Sequence, residues 1–379
     1  MGKACVAVQL ISTGGLYGAE RALLELAGYL GDHGWASHVV ALEGRGAAEL
    51  VRRAAAQGLP AEAFASGGRL GLVPMVRHLR RLLGAHPRAI VHSHGYKPDL
   101  LLRWLNAPRR VACVATCHSA YSEIPQVRLL ETVGRWGLRA FDRVAAVSPQ
   151  IRSELLRSGV PESRIVLIGN GISMPATEQS ARQGVRAELG LAENCRLIVQ
   201  VGRLVHCKRN DLLISAMARL QRSSGVHLLL LGEGERRTAL EEQVRSSALQ
   251  DRVHFCGYRK DVARFLAAAD ALVVSSDQEG MPISILEAMA VGCPIVSTGV
   301  GAIPDVLTDR RDAWLVPPND LAALRAAVDD VLSNPVAAQA RSRNAHERYL
   351  KDYSRDAMGL KYLKIYREIW VRRGWASEA

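Results

Sequence analysis

Aromatic residues make up only 5% of this chain, and no helix-turn-helix, zinc-finger or aromatic RNA-binding signature accompanies them. Single-stranded bases are held largely by stacking on aromatic faces, so this scarcity argues against nucleic acid as the partner. Long apolar runs are missing too. No segment approaches the roughly 18 to 20 consecutive residues that span a bilayer, so no transmembrane helix is expected. The N-terminal run MGKACVAVQLIST has one lysine and a short apolar stretch, but a Gly-rich turn and a helical pattern follow it instead of a cleavage site. It therefore reads as a first strand. The seven cysteines are odd in number and scattered; Cys113 and Cys117 alone lie close together, in a spacing that matches no complete zinc motif. Buried free thiols in a reducing cytoplasm are the expectation.

What is present is an ordinary globular composition, 48% hydrophobic over 379 residues. One core rarely accommodates that length, so two domains of about 150 to 200 residues are expected. The formal charge of +12 is lopsided: residues 1–172 hold 21 Lys and Arg against 12 Asp and Glu, and residues 173–379 hold 28 against 25. A half carrying +9 suits an anionic membrane surface or a nucleic acid, and a merely solubilising Arg-rich surface is the plain alternative.

Along the chain, residues 4–11 read as a strand, and the loop Thr13-Gly14-Gly15-Leu16-Tyr17-Gly18 leads into an amphipathic helix from Ala19 to Leu30. Apolar segments recur at 36–42, 61–65, 89–93, 111–116, 142–147 and 164–168, with helical patterns between most of them. That alternation argues a parallel, doubly wound sheet. From Gly169 to Asn194 the texture turns rich in Gly, Ser, Gln and Glu, as in a linker. A second series of strands follows at 196–201, 226–231, 253–256, 271–275, 294–298 and 313–316, then helical segments near 320–333 and 336–349. A last amphipathic helix, Tyr353 to Trp370, has apolar positions at Met358, Tyr362, Ile365 and Ile369; its end beside Trp370 and Trp375 suits a membrane edge or a core contact. The expected fold is α/β, with two Rossmann-like doubly wound domains facing across a cleft made by their strand carboxyl ends. The expected boundaries are 1–168, 169–352 with the linker included, and 353–379.

The most informative stretch is Glu279 to Glu287, EGMPISILE, which follows the apolar run 271–275. Pro282 suits the first turn of a helix, since its missing N–H is one that a helix start leaves unpaired. Glu279 then sits on a loop at a strand end and Glu287 on the helix behind it, with backbone N–H groups between. Helix N-termini favour phosphate, and paired carboxylates grip hydroxyl groups, which together suggest a nucleotide-sugar. Upstream, the strand 197–201 ends in Gly202-Arg203, with Lys208 five residues on; two cations there make a diphosphate clamp or a solvated basic loop. Gly14, Gly15 and Gly18 permit close approach to a phosphate, or simply form a tight strand-to-helix turn. His118 follows the strand 111–116 and is either structural or functional.

In this order, these stretches resemble glycosyltransferase family 4, the retaining sugar transferases of the GT-B fold. EGMPISILEAMAVGCPIVST resembles the family's E-x7-E motif, and VGRLVHCKRNDLLISA its phosphate-clamp segment. LLLLGEGERRTALE is similar to its next strand and helix, and VAAVSPQIRSELLRSGVPESRIVLIGNGI to its entry into the interdomain linker. The resemblance implies that Arg203 and Lys208 bind the donor diphosphate, Glu287 the ribose hydroxyls and Glu279 the transferred sugar. Gly280, Met281 and Ile283 would add backbone contacts. It places His118, within ATCHS, beside the donor sugar, and sends the terminal helix back to the first domain. Where many members have Gly-Gly-Ala-Glu this chain has Tyr17-Gly18-Ala19-Glu20, so Gly18 matches the second glycine, Tyr17 departs from the first, and the shares of Gly14 and Gly15 stay open.

The chain contains no Asp-x-Asp, so a metal-bridged diphosphate has no support and metal independence is expected. No cofactor is expected either, the nucleotide-sugar being a substrate, with UDP-sugars placed ahead of GDP-mannose. The expected acceptor is a glycan or lipid-linked precursor of bacterial surface polysaccharide or lipopolysaccharide. It would be met in the cytoplasm at the inner face of an anionic membrane, with no nucleic acid involved. The rival readings are a sugar-nucleotide epimerase on a similar fold and a basic nucleic-acid-binding protein.

Overall fold

The computed structural model describes residues 5–13, 18–42, 46–64, 72–105, 107–109, 111–118, 125–173, 180–220 and 225–375. Seven strands lie in the first half: β1 (Cys5–Ser12), β2 (Trp35–Leu42), β3 (Ala61–Phe64), β4 (Ile90–His94), β5 (Ala112–Cys117), β6 (Arg143–Ala146) and β7 (Ile165–Leu167). Six more follow: β8 (Arg196–Val201), β9 (Val226–Leu231), β10 (Val253–Gly257), β11 (Ala271–Val274), β12 (Ile295–Thr298) and β13 (Trp314–Val316). Each falls on one of the apolar segments expected from the sequence. The first sheet runs β3-β2-β1-β4-β5-β6-β7 and the second β10-β9-β8-β11-β12-β13. All pairings are parallel.

Both sheets are therefore Rossmann-like, with strand order reversing between β1 and β4 in one and between β8 and β11 in the other. Sheets covered on both faces demand near-continuous apolar strands. β11, Ala-Leu-Val-Val, is buried throughout. Along β1, Val8 and Leu10 enter one apolar cluster while Ala7 and Ile11 enter clusters on the opposite face. Two helix starts are capped by side chains: Ser148 Oγ accepts from the Ile151 N–H at 3.3 Å, and Asp320 from the Ala323 N–H at 2.9 Å.

The chain divides into two compact units, residues 1–173 with 355–379, and residues 174–354. The first unit thus runs five residues beyond 168, because the Ile172 carbonyl accepts from the Arg355 N–H at 2.8 Å and Asn170 is buried. The one short helical run that the sequence shows within the linker-like stretch is formed. Its helix Ala181–Glu188 belongs to the second unit and buries Arg186, 1% exposed. The Arg186 guanidinium donates to the carbonyls of Ala268 and Cys195 at 3.0 and 2.9 Å and pairs with Asp270 at 3.3 Å. A polar stretch with an arginine reads as surface unless its carboxylate partner, 84 residues away, is visible. Asp270→Ala leaves that buried cation uncompensated and is expected to destabilise the protein by about 3–5 kcal/mol, read from the urea midpoint. A loss below about 1 kcal/mol would show the pair behaves as an exposed one.

The last helix, Arg355–Arg372, buries Met358, Tyr362, Ile365 and Ile369 as its spacing predicts, and also Gly359, Leu363 and Tyr366. It packs on the helix Gly18–Asp32, where a Cβ at Gly359 would come within 2.3 Å of the Tyr29 ring. Trp370 and Trp375 meet edge to face at 5.0 Å and pack against the apolar cluster containing Trp35, so they form a core contact. Among the described residues no helix is long and apolar enough to cross a membrane.

Candidate active site

Candidate residues of the second unit gather where strand order reverses, at the carboxyl ends of β8 and β11, the position at which open α/β sheets bind ligands. After β8 the chain turns through Gly202 (φ +150°), passes the exposed Arg203 and a short turn at His206–Lys208, and enters the helix Asn210–Ala218. Polar side chains at the end of β11 hold this loop. Ser275 Oγ donates to the carbonyls of Lys208 and Arg209 at 2.9 and 3.0 Å, and the Asp277 N–H donates to the Cys207 carbonyl at 3.0 Å. From the other side, the segment after β9 presses in: the Leu204 N–H donates to the Glu233 carbonyl and the Arg236 N–H to the Leu204 carbonyl, both at 3.0 Å. Gly232 and Gly234 permit this approach, since a Cβ at either would stand 2.0 and 2.3 Å from the carbonyl oxygens of Gly202 and Leu204.

Glu279 lies on the loop after β11, as expected, with its side chain 8% exposed. Its Oε1 accepts from Ser276 Oγ at 2.6 Å and from Lys208 Nζ at 2.5 Å. The sequence reading put Lys208 on a phosphate and Glu279 on a sugar as separate contacts. The structure joins the two side chains as one ion pair. The loop after β12 backs the 280–281 peptide: the Ala302 N–H donates to the Gly280 carbonyl at 3.1 Å. Gly301, at φ +57°, brings its Cα so near that a Cβ would stand 1.9 Å from the Glu279 carbonyl oxygen.

The helix that follows is Ile283–Val291, and Pro282 (φ −71°, ψ 120°) occupies its N-cap and not its first turn. Its extended ψ turns the chain from the Glu279 loop into the helix. Glu287 lies in the second turn and is buried. Met281 and Ile283 are half-buried, and a Cβ at the exposed Gly280 would meet no described atom within 4 Å.

In the first unit, Gly14 and Gly15 lie outside the described residues, and Gly18 is the first residue of the helix Gly18–Asp32. His118 follows β5 directly and joins a buried chain of polar groups that the sequence reading missed. His94 Nδ1 lies 3.0 Å from His118 Nε2, and His94 Nε2 lies 2.9 Å from Gln9 Oε1. Gln9 Nε2 donates to the Tyr366 hydroxyl at 3.2 Å, which lies 2.8 Å from His92 Nδ1. His92 Nε2 reaches Thr116 Oγ1 at 2.7 Å, and that hydroxyl reaches Tyr362 at 2.7 Å. Burial lowers His92 to about 3 and holds His94 well below its ordinary value. It lowers His118 to about 4, opposed by the nearby Asn170 amide. Neutral imidazoles therefore prevail near pH 7. Alternate histidines in a strand otherwise built for burial, Ile-Val-His-Ser-His, were the available signal.

The fold is similar to that of the solved structure of Anabaena HepE in complex with UDP. It matches with a TM-score of 0.84 at 20% identity, over 96% of this chain and 99% of that one. The fold is GT-B, and the chain is a glycosyltransferase. The model described as "Glycosyltransferase Family 4" matches residues 17–174, and that described as "Glycosyl transferases group 1" matches 182–348. A glycogen synthase of Mycobacterium tuberculosis is 30% identical over 297 residues, 77% of this chain and 68% of that protein. The lipopolysaccharide core biosynthesis glycosyltransferase LpsE of Rhizobium meliloti is 32% identical over 180 residues, 48% and 52% of the two chains. The protein belongs to glycosyltransferase family 4.

Proposed function

We propose that the protein moves a hexose-type sugar, with retention and without a metal, from a nucleotide-sugar to a glycan or lipid-linked acceptor in bacterial surface polysaccharide or lipopolysaccharide synthesis. The Lys208–Glu279 pair at the β8/β11 reversal, beside Arg203 and the start of the helix Ile283–Val291, carries the reading. Supporting it, HepE was solved with UDP and with UDP-glucose, which favours a UDP-sugar, and LpsE is described as acting in lipopolysaccharide core synthesis.

In this mechanism the bond from the anomeric carbon to the β-phosphate oxygen breaks. The acceptor oxygen bonds to that carbon on the same face, and the acceptor's proton passes to the departing phosphate oxygen. Negative charge grows on the diphosphate as the bond breaks. Arg203, Lys208 and backbone N–H groups of Gly280, Met281 and Ile283 match that charge, which is where catalysis draws most on a protein. Glu279 holds hydroxyls of the transferred sugar, Glu287 those of the ribose, and His118 contacts the sugar. Gly14, Gly15 and Gly18 are assigned to the phosphate-proximal loop of the first unit.

The first unit carries the positive excess, and Arg77, Arg80 and Arg81 are exposed and line a hollow with Val76. Each such cation near an anionic leaflet contributes about 1 kcal/mol, so a few suffice for reversible association at the inner face of the cytoplasmic membrane.

One assay tests the reading: the protein with UDP- and GDP-sugars, excess EDTA, and anionic or neutral vesicles bearing a lipid-linked glycan. A UDP-sugar should release nucleotide in EDTA and yield a product of unchanged anomeric configuration. Vesicle binding should need anionic lipid and weaken with salt. Sugar conversion without nucleotide release would identify an epimerase. Activity lost in EDTA and restored by magnesium or manganese would assign the leaving-group charge to a metal. Equal failure to bind either vesicle would favour a soluble acceptor.

A further inference from the structure

We infer that the first unit meets an anionic phospholipid bilayer through one aromatic, cation-rimmed face, with Trp104 and Trp136 entering the headgroup region. Such docking rests on the membrane part of the proposed function and names the face that performs it.

Tryptophan is highly buried on average in folded chains. Two of the six here stand out in solvent, Trp104 at 72% and Trp136 at 55% exposure, and Val133 stands out with them. Trp104 ends the helix Tyr96–Trp104, and Trp136 is the last residue but one of the helix Pro125–Gly137. The two helices lie side by side through glycines. A Cβ at Gly134 would stand 3.5 Å from Tyr96 Cβ and 3.6 Å from Leu100 Cγ, and one at Gly137 would stand 3.2 Å from Arg103 Cγ. The helix ends therefore meet at Arg103 and Gly137, the residues next to the two tryptophans. Val133 and Trp136, three apart, share one outward stripe. Buried polar pairs fix the inner sides: Ser93 Oγ donates to Asp99 at 2.5 Å, and Arg135 donates to Glu154 at 2.5 Å.

Charge decides what covers this face. Within 96–109 and 131–140 the exposed charged side chains are Lys97, Arg103, Arg109 and Arg139, all cations, while the carboxylates Asp99 and Glu131 are buried. The Arg139 guanidinium stands 5.9 Å from the centroid of the Trp136 ring. Trp104, Val133 and Trp136 are the large exposed apolar side chains here, far short of the roughly 20–30 residues a side that a stable protein interface takes. Aromatic rings with cations beside them match the edge of a bilayer, where rings sit at headgroup level and cations meet the anionic lipids. Adhesion by cations alone weakens with salt. Buried rings add a part that salt does not weaken.

The test uses the full chain with vesicles of phosphatidylcholine, alone or mixed with phosphatidylglycerol, with and without brominated acyl chains. Native protein should bind the anionic vesicles, and brominated lipid should quench its tryptophan fluorescence. Trp104→Gln and Trp136→Gln should each weaken binding roughly tenfold, the scale of an indole kept out of an apolar layer. Together they should abolish the quenching, because Trp35 and Trp314 are buried and Trp370 and Trp375 pack against the core. Tm should not move, since both positions are exposed. No vesicle binding by the native protein would overturn this inference together with the membrane part of the proposed function. Native binding without quenching, at an affinity that neither variant changes, would overturn this inference alone and leave adhesion to the arginines. Self-association without vesicles, lost in the variants, would assign the face to a second copy of the chain and overturn the bilayer contact.

Discussion

Lys208→Ala is expected to lower transfer by on the order of a hundredfold or more, the scale of losing a charge partner of the transition state. Two effects add. The departing diphosphate loses a cation, and Glu279, 8% exposed, is left with only Ser276 of the two partners on its Oε1. Arg203→Ala should cause a comparable fall through the first effect, since the exposed Arg203 follows β8 at the same strand end. The two causes separate in a double substitution: Lys208→Ala with Glu279→Ala should lose far less than the product of the single losses, since one pair is removed once. Both single variants should still fold cooperatively. Turnover within a few-fold of native in Lys208→Ala and Arg203→Ala would remove the diphosphate clamp from the mechanism.

Gly232→Ala and Gly301→Ala are expected to cost about as much while changing no group that touches substrate. At Gly232 the added Cβ would fall 2.0 Å from the Gly202 carbonyl oxygen, and at Gly301 1.9 Å from that of Glu279. Both obstacles are backbone, which cannot rotate away. The loops bearing Arg203 and Glu279 must therefore shift by on the order of 1 Å, and a displacement of that size can cost about a hundredfold. Gly280→Ala is the control. Its Cβ would meet no described atom, so any loss there reports a substrate contact and not a distorted loop. kcat/KM within about threefold of native in both Gly232→Ala and Gly301→Ala would show that the loops adapt without consequence.

Much of the architecture was legible because its signals are local. Parallel strands covered on both faces need apolar segments, and segments such as Ala271–Val274 state their burial in their own composition. The apolar run before it and Pro282 after it put Glu279 on a loop and Glu287 on a helix, where they are found. Three features were not legible, for a common reason. The Lys208–Glu279 pair, the Arg186–Asp270 pair and the Gln9–His94–His118 chain join residues 71, 84 and at least 24 positions apart. A charged or polar residue looks alike in sequence whether it faces water or a partner, and the partner alone distinguishes the two.

By itself, then, the sequence determined which segments are strands and helices, that two parallel sheets exist, and which residue types stand at the strand ends, because periodicity and turn chemistry act over a few residues. Tertiary structure alone decided who meets whom. It set Ser275 and Gly232 against the Arg203–Lys208 loop, moved Pro282 from first turn to cap, and brought Tyr366 of the last helix to Gln9 in the first strand, 357 positions away. Those choices depend on strand order and close backbone approach, which no run of neighbouring residues encodes.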